Sequence, residues 1–541
     1  MSQGLPIYPF ESQRRIGSVC EVGPSYVKSN LPKAGLPFGQ TYHGEYVGGG
    51  EVSEFVVIEC GPFGVFGRIT RVYLPERERL AVEPKLGSDG KVHPVGSIET
   101  FATIELSTGK VAPGLGQQPR LGDSVFSAHP DLVKWLAEAC NRSSPSSSPL
   151  LLDIAHLPKA NNTRVAITPE QLFGRHCAIL GATGGGKSWT VAQLIEQCSQ
   201  HDAKIVLLDA TGEFHTLDKR VKHVYIGDRH DKPDTATETV FPHRALNEDD
   251  LFAMFCPSVL TQLPVMRAAI KSLKLAEMLD DDHELLLDGR IIKANQEKEL
   301  YDNEYRTHAE HLNQAGAEFD IHLLPMQMQF ECVHLNAFGP KYGDPPDESR
   351  WGKVDEGRIS NCTPLIARIE GFLHAEECAC IFQPDDKESI DDVLSSFMRS
   401  RKHSVLRISL KYLPFKYNVR EIIANAIGRA LLSRARNGDF DDKPLVVFLD
   451  EAHQFLNKSL GNEQSRFPLD AFEMIAKEGR KYGITLTLST QRPRDIPEGV
   501  ISQVGTLIVH RLTNDRDREV VEKAAGEIDK SATSFLPTLA P

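Results

Sequence analysis

Residues 181–188 read GATGGGKS and fit the pattern G-x-x-x-x-G-K-[ST] of phosphate-binding loops. The short apolar run HCAIL at 176–180 precedes the loop, and the spacing of apolar residues predicts a helix over 187–200 after it. A buried strand, a glycine loop and a helix in this order place backbone N–H groups and the helix N-terminus around a phosphate. We expect Lys187 to reach the β- and γ-phosphates of a nucleotide and Ser188 to hold Mg²⁺.

A second motif lies in PLVVFLDEAH at 444–453, where an apolar strand brings Asp450 and Glu451 to its C-terminal end. Ligands of parallel sheets bind at that edge, so we expect Asp450 to bind Mg²⁺ through water and Glu451 to polarise the attacking water. An isolated Asp-Glu pair is also typical of a solvated turn. The strand KIVLLD at 204–209 lies between the two motifs. This order favours the NTPases with an extra strand between phosphate loop and magnesium aspartate over a small kinase or a GTPase.

Two further candidates flank the predicted strand GITLTLST at 483–490. After the strand, Gln491 in STQRP is placed to bind the γ-phosphate or the attacking water, although an ordinary polar loop residue also fits. Before the strand, Arg480 and Lys481 end a helix in AKEGRKYG, where basic side chains complement the helix dipole. The functional alternative for Arg480 is an arginine finger that reaches into the nucleotide site of a neighbouring subunit.

The rest of the chain divides into regions of different character. Short β-rich runs separated by Gly, Pro and Ser predict a small N-terminal β-barrel, and NRSSPSSSP at 141–149 is typical of a linker. The later strand–loop–helix units have strands without alternation, as in a parallel sheet covered on both faces. The predicted domains are the barrel at 1–135, a linker at 136–165, a core of two parts at 166–244 and 401–541, and a helical insertion at 245–400.

Composition restricts the possible functions. The 541 residues include 61 Lys and Arg against 74 Asp and Glu, a formal net charge of −13. Contact with nucleic acid must therefore be local, for instance inside a channel. The N-terminus lacks the apolar core of a signal peptide, and no apolar run approaches the roughly 18 residues of a membrane span. The 10 cysteines include no C-x-x-C pair and suit reduced thiols, so we expect a cytoplasmic protein.

Five motifs in one order resemble the HerA family, within the HerA/FtsK group of hexameric DNA-pumping ATPases. They are GATGGGKSWT, LLDATGEF, LVVFLDEAHQFL, KEGRKYGITLTLSTQRP and ISQVGTLIVHRLTNDRD. The N-terminal segments IGSVCEV, FGRI and PRLGDSV resemble the barrel domain of that family. The resemblance implies an α/β RecA-like P-loop ATPase core with an N-terminal small β-barrel and a helical insertion. Relatives continue beyond SATSFLPTLAP, where this sequence ends, with another strand and a tail that braces the adjacent subunit.

The resemblance also implies roles for individual residues. The catalytic set is Lys187, Glu451, Gln491 and Arg480, the last acting in trans with Arg511 in reserve. Ser188 and Asp450 form the metal set, and the cofactors are ATP and Mg²⁺. The nucleotide-binding set is Gly181, Thr183, Gly184, Gly185, Gly186, Lys187, Ser188, Trp189, Asp209 and Glu213.

By the same resemblance, the protein is expected to form a homo-hexamer that threads double-stranded DNA and works with a partner. The partner is a nuclease or a sirtuin-like NAD-consuming effector, in anti-phage defence or in DNA-end processing. An alternative is an ATPase scaffold that assembles and regulates an effector enzyme without sustained translocation, which the acidic charge favours. A conjugation-type secretion ATPase is disfavoured by the barrel and by the lack of membrane segments.

Two loops are candidates for phosphate contacts in the channel of the ring. The first follows DATGEF and carries Lys219, Arg220 and Lys222, and the second follows DEAHQFL and carries Lys458 and Arg466. Both are expected at the C-terminal edges of the strands. Solvated surface charge is the alternative for each loop. Six copies of one lysine in a ring would give six phosphate contacts and a steep salt dependence of DNA affinity.

Overall fold

The computed structural model describes residues 5–24, 26–35, 40–42, 45–75, 93–114, 116–139, 150–157, 163–201, 203–227, 236–312, 317–338, 345–384, 386–456, 458–460, 467–524 and 536–538. The chain forms two compact units. The first comprises residues 1–172 with 525–538, and the second comprises residues 173–524 with 539–541. In the described residues, no helix has the length and apolar character needed to cross a bilayer.

The first unit is built around a closed antiparallel barrel. Its elements are β1 Arg15–Val22, β2 Tyr26–Asn30, β3 Gln40–Tyr42, β4 Glu45–Val47, β5 Phe55–Cys60, β6 Phe63–Tyr73, β7 Val95–Glu105, β8 Lys110–Pro113, β9 Ser124–Ser127, α1 Pro130–Ala139, β10 Leu152–Leu157, β11 Thr163–Ile167 and α2 Pro169–Phe173. Six strands follow the order β2-β1-β9-β5-β6-β7, and β2 also pairs with β7, so the sheet closes on itself. The predicted N-terminal barrel is therefore confirmed.

Successive residues of a barrel strand point to opposite faces of the sheet, and both faces are buried. On β5, Val56 and Ile58 pack inside the barrel with Ile16 and Val27. Val57, between them, belongs to an outer apolar cluster to which α1 contributes Leu132 and its neighbours. This period of two is the pattern expected of a pleated strand, and here both faces are covered. The helix thus extends the core beyond the barrel interior.

Part of the predicted linker has regular structure. β10 and β11 pair as an antiparallel hairpin within or next to the range 136–165, and Leu152 is buried. The Ser- and Pro-rich stretch at 141–149 lies outside the described residues. The hairpin forms after this stretch because its apolar residues have strand partners, as Leu152 has in Ile167.

The second unit contains one eight-stranded parallel sheet. The strands of this sheet are β12 His176–Leu180, β13 Lys204–Asp209, β14 Val221–Ile226, β15 Thr237–Thr239, β18 Val405–Ser409, β19 Leu445–Leu449, β22 Ile484–Thr490 and β23 Val504–Val509. Two separate pairs of strands are β16 Leu286–Leu287 with β17 Arg290–Ile291, and β20 Lys458–Leu460 with β21 Phe467–Leu469. The sheet order is β15-β14-β18-β13-β19-β22-β12-β23, and every pairing is parallel. Strands β12, β13 and β18 are buried at every residue, which explains why their sequences are mostly apolar and do not alternate with polar residues.

Helices cover this sheet and fill the stretch between its two halves in the sequence. They are α3 Lys187–Ser199, α4 Glu248–Phe255, α5 Gln262–Ala276, α6 Lys298–Leu312, α7 Leu324–Phe330, α8 Glu356–Leu373, α9 Ala379–Phe382, α10 Ile390–Arg399, α11 Val419–Arg436, α12 Ala471–Glu478, α13 Glu498–Ile501 and α14 Asp515–Ala524. From α4 to α10 the described chain is mostly helical, with only the two-residue strands β16 and β17 between them. The ion pair of Lys293 and Glu331, 2.6 Å apart, is buried among these helices.

Candidate active site

Three neighbouring strands deliver the predicted motifs to one edge of the sheet. β19, β22 and β12 are adjacent and parallel, and the glycine loop follows β12 while Asp450 and Glu451 follow β19. Gln491 follows β22, which lies between the other two strands. Because the carboxyl ends of parallel strands meet at the same edge, the motifs converge there. The order of the strands in the sequence does not predict this arrangement. β22 is the last of the three strands in the chain, but it lies between the other two in the sheet.

The glycine loop has the backbone that phosphate binding requires. Gly184 and Gly186 adopt φ values of 74° and 90°, in the left-handed region that glycine enters without strain, and α3 begins at the next residue. The loop is held at its base, because the Ala182 N–H donates to the Arg511 carbonyl at 2.8 Å. The N-terminus of α3 therefore presents its unpaired N–H groups at a fixed position.

Lys187 is surrounded by acidic side chains. The lysine is only 8% exposed, and its Nζ donates to the carbonyl of Ala182 at 3.2 Å. Burial lowers the pKa of Lys187, and the nearby carboxylates of Glu451, Asp450 and Glu213 oppose that change. The positive charge thus lies where the phosphate loop and the acidic strand ends meet. Trp189, two residues further along α3, is largely exposed.

Oxygen atoms suited to Mg²⁺ lie beside the loop. Ser188 Oγ donates to Glu213 Oε2 at 2.7 Å, and Thr211 Oγ1 donates to Asp450 Oδ2 at 3.4 Å. Burial, together with the charges of Asp209, Glu451 and Glu213, raises the pKa of Asp450 to about 8. A cation would favour the ionised form of this crowded carboxylate. Hydroxyl and carboxylate oxygens are the ligands Mg²⁺ prefers, so the residues present fit that ion.

Asp209 occupies a different place from the rest of the predicted nucleotide-binding set. It is fully buried, and its oxygens accept from the N–H groups of Gly212 at 2.7 Å and Phe214 at 3.1 Å. Arg407 Nε, from β18, also donates to Asp209 Oδ2 at 2.7 Å. Both carboxylate oxygens of Asp209 thus accept hydrogen bonds. These bonds stabilise the turn in which Glu213 lies beside Ser188. Sequence reasoning missed Arg407, because it lies on a strand almost 200 positions away.

Gln491 is joined to the glycine loop. Its Oε1 accepts a hydrogen bond from the Thr183 hydroxyl, so the loop after β22 and the loop after β12 are in direct contact. The Glu451 side chain belongs to the same neighbourhood, since its charge acts on Lys187. The structure therefore brings together Lys187, Ser188, Asp450, Glu451, Gln491 and Glu213.

The structure does not bring Arg480 to this site in its own chain. Arg480 is exposed and precedes β22, at the amino-terminal edge of the sheet, whereas Gln491 follows β22. The seven residues of β22 separate the two edges by roughly 23 Å of extended strand. Arg511, the reserve candidate, is adjacent to the glycine loop through its carbonyl, and its Nε is buried without a hydrogen-bond partner among the described residues.

The prediction that residues 219–222 lie at the C-terminal edge of the sheet is wrong. The chain after Glu213 returns to the amino-terminal edge, because it must start the parallel strand β14 at Val221, level with Val405 on β18. Arg220 donates there to the carbonyls of Ser199 at 3.2 Å and Arg401 at 3.0 Å.

Lys222 donates to Ser396 Oγ at 3.3 Å, and Lys219 is exposed at the same edge. The second predicted loop follows β19 in the chain, and there β20 and β21 form an antiparallel hairpin that begins at Lys458. Arg466 lies outside the described residues.

Two family models match the chain. The model of the HerA helicase central domain matches residues 152–321, and the model of the HerA-like C-terminal region matches residues 432–534. Together they cover both parts of the sheet that carry the site.

Curated relatives share low identity over most of the chain. A probable DNA double-strand break repair helicase HerA of Methanocaldococcus jannaschii is 23% identical over 401 residues, which cover 72% of each chain. The DNA double-strand break repair helicases HerA of Saccharolobus solfataricus and Pyrococcus furiosus are each 24% identical, over 371 and 435 residues. Those alignments cover 68% and 76% of this chain and 60% and 68% of the two relatives.

Solved structures give weaker similarities. VirB4 of Thermoanaerobacter pseudethanolicus matches with a TM-score of 0.36 and 13% identity, over 74% of this chain and 93% of that chain. The plasmid coupling protein TrwB in complex with ADP and Mg²⁺ matches with a TM-score of 0.35 and 13% identity, over 68% of this chain and 72% of that chain.

Proposed function

Because this chain belongs to the HerA family, we propose that it is an ATP-driven motor that moves duplex DNA through a hexameric ring. The observation that carries the proposal is the convergence of the glycine loop, the Asp450–Glu451 pair and Gln491 at one edge of a single parallel sheet. The arrangement supports a RecA-like ATPase core, in which ATP hydrolysis supplies the energy for movement. Relatives named as DNA repair helicases support DNA as the substrate.

The residues of the site divide the reaction between them. Lys187 and the N-terminus of α3 bind the phosphates, and Ser188 and Asp450 hold Mg²⁺, which neutralises phosphate charge. Glu451 orients and polarises the attacking water from the end of β19. Gln491 contacts the γ-phosphate and, through its position at the end of β22, transmits the loss of that group to the sheet.

Arg480 completes the nucleotide site of a neighbouring subunit. Its exposed position at the amino-terminal edge, opposite the site of its own chain, supports a role in trans. A head-to-tail ring interface joins two different surfaces of identical subunits, so the edge that carries Arg480 can meet the edge that carries Lys187. Hydrolysis then depends on assembly of the ring.

The β20–β21 hairpin contacts the DNA. The hairpin follows the turn after Glu451 in the chain. The residue proposed to act in hydrolysis and the hairpin proposed to contact DNA therefore belong to one continuous segment. Lys458 begins the hairpin, and a ring presents it six times to the phosphates of a duplex. Such contacts are independent of base sequence and depend steeply on salt.

The ring works with an effector enzyme, either a nuclease or a sirtuin-like NAD-consuming enzyme, in anti-phage defence or DNA-end processing. The family resemblance supports this partner class, and the N-terminal barrel, which holds none of the site residues above, is the surface we assign to docking. Affinity purification of the tagged protein from its native host, followed by mass spectrometry, identifies the partner. If the protein forms no stable complex with an enzyme of either class, this part of the proposal is wrong.

The experiment that tests the motor is ATP hydrolysis measured with and without linear duplex DNA. We expect DNA to stimulate the wild-type protein, and a streptavidin block on the DNA to stop its movement. The Lys458→Ala variant should keep its DNA-independent hydrolysis but lose DNA affinity and stimulation. Lys219→Ala is the matched control, because this exposed lysine lies at the opposite edge of the sheet.

A scaffold that regulates an effector without translocation is the second candidate, and the net charge of −13 favours it. The two functions differ in the same assay. Hydrolysis that is indifferent to DNA and to Lys458→Ala would overturn the motor and support the scaffold.

A further inference from the structure

His453 lies between two of the motifs that form the site. The residue is in a short turn, Ala452–Gln454, that follows Asp450 and Glu451. Its Nδ1 is 3.2 Å from Glu451 Oε2 and 3.1 Å from the hydroxyl oxygen of Thr490. The histidine and glutamate side chains are mostly buried, at 12% and 17% exposed. One ring nitrogen therefore faces two alternative oxygen partners.

Glu451 is incompletely satisfied in this arrangement. Its Oε2 is buried and makes no hydrogen bond with the described residues, although the imidazole nitrogen is near. Its backbone has a φ of 47°, in the left-handed region where a residue with a Cβ is strained. Strained residues and buried unpaired oxygens persist where surrounding structure requires them, and they concentrate at catalytic sites. The carboxylate is thus held in place with one oxygen available for a donor.

Thr490 connects the histidine to the γ-phosphate side of the site. It is fully buried at the end of β22, and its Oγ1 also accepts from the N–H of Arg492 at 3.0 Å. The next residue, Gln491, accepts from Thr183 in the glycine loop. A movement of Gln491 therefore changes the position of the hydroxyl to which His453 is bonded.

We propose that His453 is a positioning residue that orients Glu451 for hydrolysis and that exchanges its Nδ1 hydrogen bond between Thr490 and Glu451. The inference rests on the proposed function, because it assumes that Glu451 polarises the attacking water. A carboxylate only accepts hydrogen bonds, so Nδ1 carries the hydrogen when it binds Glu451. In the structure Nδ1 is hydrogen-bonded to Thr490, and Glu451 Oε2 has no hydrogen-bond partner among the described residues.

The exchange couples the state of the nucleotide to the catalytic carboxylate. When Gln491 binds the γ-phosphate, the end of β22 shifts, Thr490 releases the imidazole, and Nδ1–H fixes one oxygen of Glu451. The other oxygen then faces the water. Fixing one oxygen of a general base improves its orientation without adding a charge to the phosphate site.

Three substitutions test the exchange in the full-length protein. His453→Leu removes the donor and keeps the bulk, whereas His453→Asn keeps an N–H near the position of Nδ1. Thr490→Val removes the competing hydroxyl with little change in shape. Each variant is compared with wild type in steady-state ATP hydrolysis, in binding of a fluorescent ATP analogue, and in thermal unfolding.

We expect the kcat of His453→Leu to fall by roughly 10- to 100-fold, a part of what a general base contributes, with KM and nucleotide affinity unchanged. His453→Asn should recover most of that loss. Thr490→Val should raise the DNA-independent kcat several-fold, and the double variant Thr490→Val/His453→Leu should be as slow as His453→Leu alone. Equal loss in the Leu and Asn variants, or a change in KM without a change in kcat, would overturn the proposal.

Glu451→Gln separates this inference from the proposed function. If wild type hydrolyses ATP and Glu451→Gln does not, the role of Glu451 is intact and the His453 variants test only the exchange. If Glu451→Gln remains active, the proposed role of Glu451 fails, and the inference fails with it.

Discussion

The lysine of the glycine loop is a buried charge balanced by its surroundings. Burial lowers the pKa of Lys187, and three carboxylates around it favour the charged form. Removing the lysine therefore leaves mutually repelling acids, among them Asp450, whose pKa is already raised to about 8. A phosphate would meet those acids without a counter-charge, so the lysine is required for binding before it is required for catalysis.

We predict that Lys187→Ala abolishes ATP hydrolysis while the fold persists. Among the residues that the structure describes, Lys187 Nζ donates one hydrogen bond, to the Ala182 carbonyl, so loss of the side chain costs about 1 kcal/mol of unfolding free energy. Phosphate release and thermal unfolding measure the two effects. Hydrolysis above a tenth of the wild-type rate would contradict the role of Lys187.

Glu451→Gln should have a different effect from Lys187→Ala. The amide keeps the size of the side chain but cannot polarise water, so we expect ATP to bind normally and hydrolysis to slow by at least about 100-fold. Radiolabelled ATP retained on the protein after gel filtration is the measurement. A wild-type rate of product formation would show that another residue polarises the water.

The contiguous motifs located most of the site residues in advance, but not their partners. Lys187, Ser188, Asp450 and Glu451 each stand in a recognisable run of sequence, and the structure brings all four together. Arg407 holds Asp209 from 198 positions away, and Thr490 meets His453 from a different strand. Such contacts depend on strand order, which no local pattern records.

At the scale of elements, His176 connects β12 to its neighbours. Its Nε2 is 2.8 Å from the Ala476 carbonyl at the end of α12, and its Nδ1 accepts from the N–H of Leu486 on β22 at 3.0 Å. These two bonds require a neutral ring with the hydrogen on Nε2. Burial lowers the pKa of His176, the Ala476 bond opposes this, and Arg480 lowers it further.

We predict that His176 makes the protein less stable in acid. Because the pKa of His176 is lowered in the folded state, the unfolded chain binds a proton at a pH where the folded chain does not. The free energy of unfolding therefore falls as the pH drops below the usual pKa of histidine. His176→Asn should lose about 1–3 kcal/mol at pH near 7.5, through the loss of a buried hydrogen bond, and should depend less on pH toward about 5. Chemical denaturation of both proteins across this range is the measurement, and identical pH slopes would contradict it.

The sequence predicted elements best where the strands are fully buried. The predicted strands at 176–180, 204–209, 444–450 and 483–490 all contain strands of the sheet. β14 and β15 were not predicted, because β14 is mostly half-buried and its sequence VKHVYI lacks an unbroken apolar run. That omission also misplaced residues 219–222, since without β14 the chain has no reason to return to the opposite edge.

At the scale of the whole molecule, the two edges of one sheet carry different parts of the proposed catalytic set. The C-terminal edge holds Lys187 and Glu451, and the amino-terminal edge presents Arg480. A subunit alone therefore lacks one of its proposed catalytic groups. In the ring that we propose, a neighbouring subunit supplies this group through a head-to-tail contact.

We predict that two inactive variants restore activity when they are mixed. Lys187→Ala keeps a normal Arg480, and Arg480→Ala keeps a normal glycine loop, so an interface between them can contain one intact site. Random rings from an equal mixture should recover about a quarter of the wild-type rate, because about a quarter of head-to-tail interfaces join intact halves. Each variant alone is the control. If subunit exchange is verified and the mixture still does not hydrolyse ATP, then Arg480 is not the residue that acts in trans, and Arg511 is the next candidate.

The position of β12 in the sheet has a consequence for folding during synthesis on the ribosome. This strand carries the glycine loop, yet both of its sheet neighbours, β22 and β23, are made much later, with Leu486 following His176 by 310 positions. At ordinary rates of translation that interval lasts roughly 15–60 s. During it the nascent chain exposes an apolar strand without partners and cannot capture ATP. We therefore expect chaperones to bind the newly made chain first, and ATP to bind only after β22 and β23 have emerged.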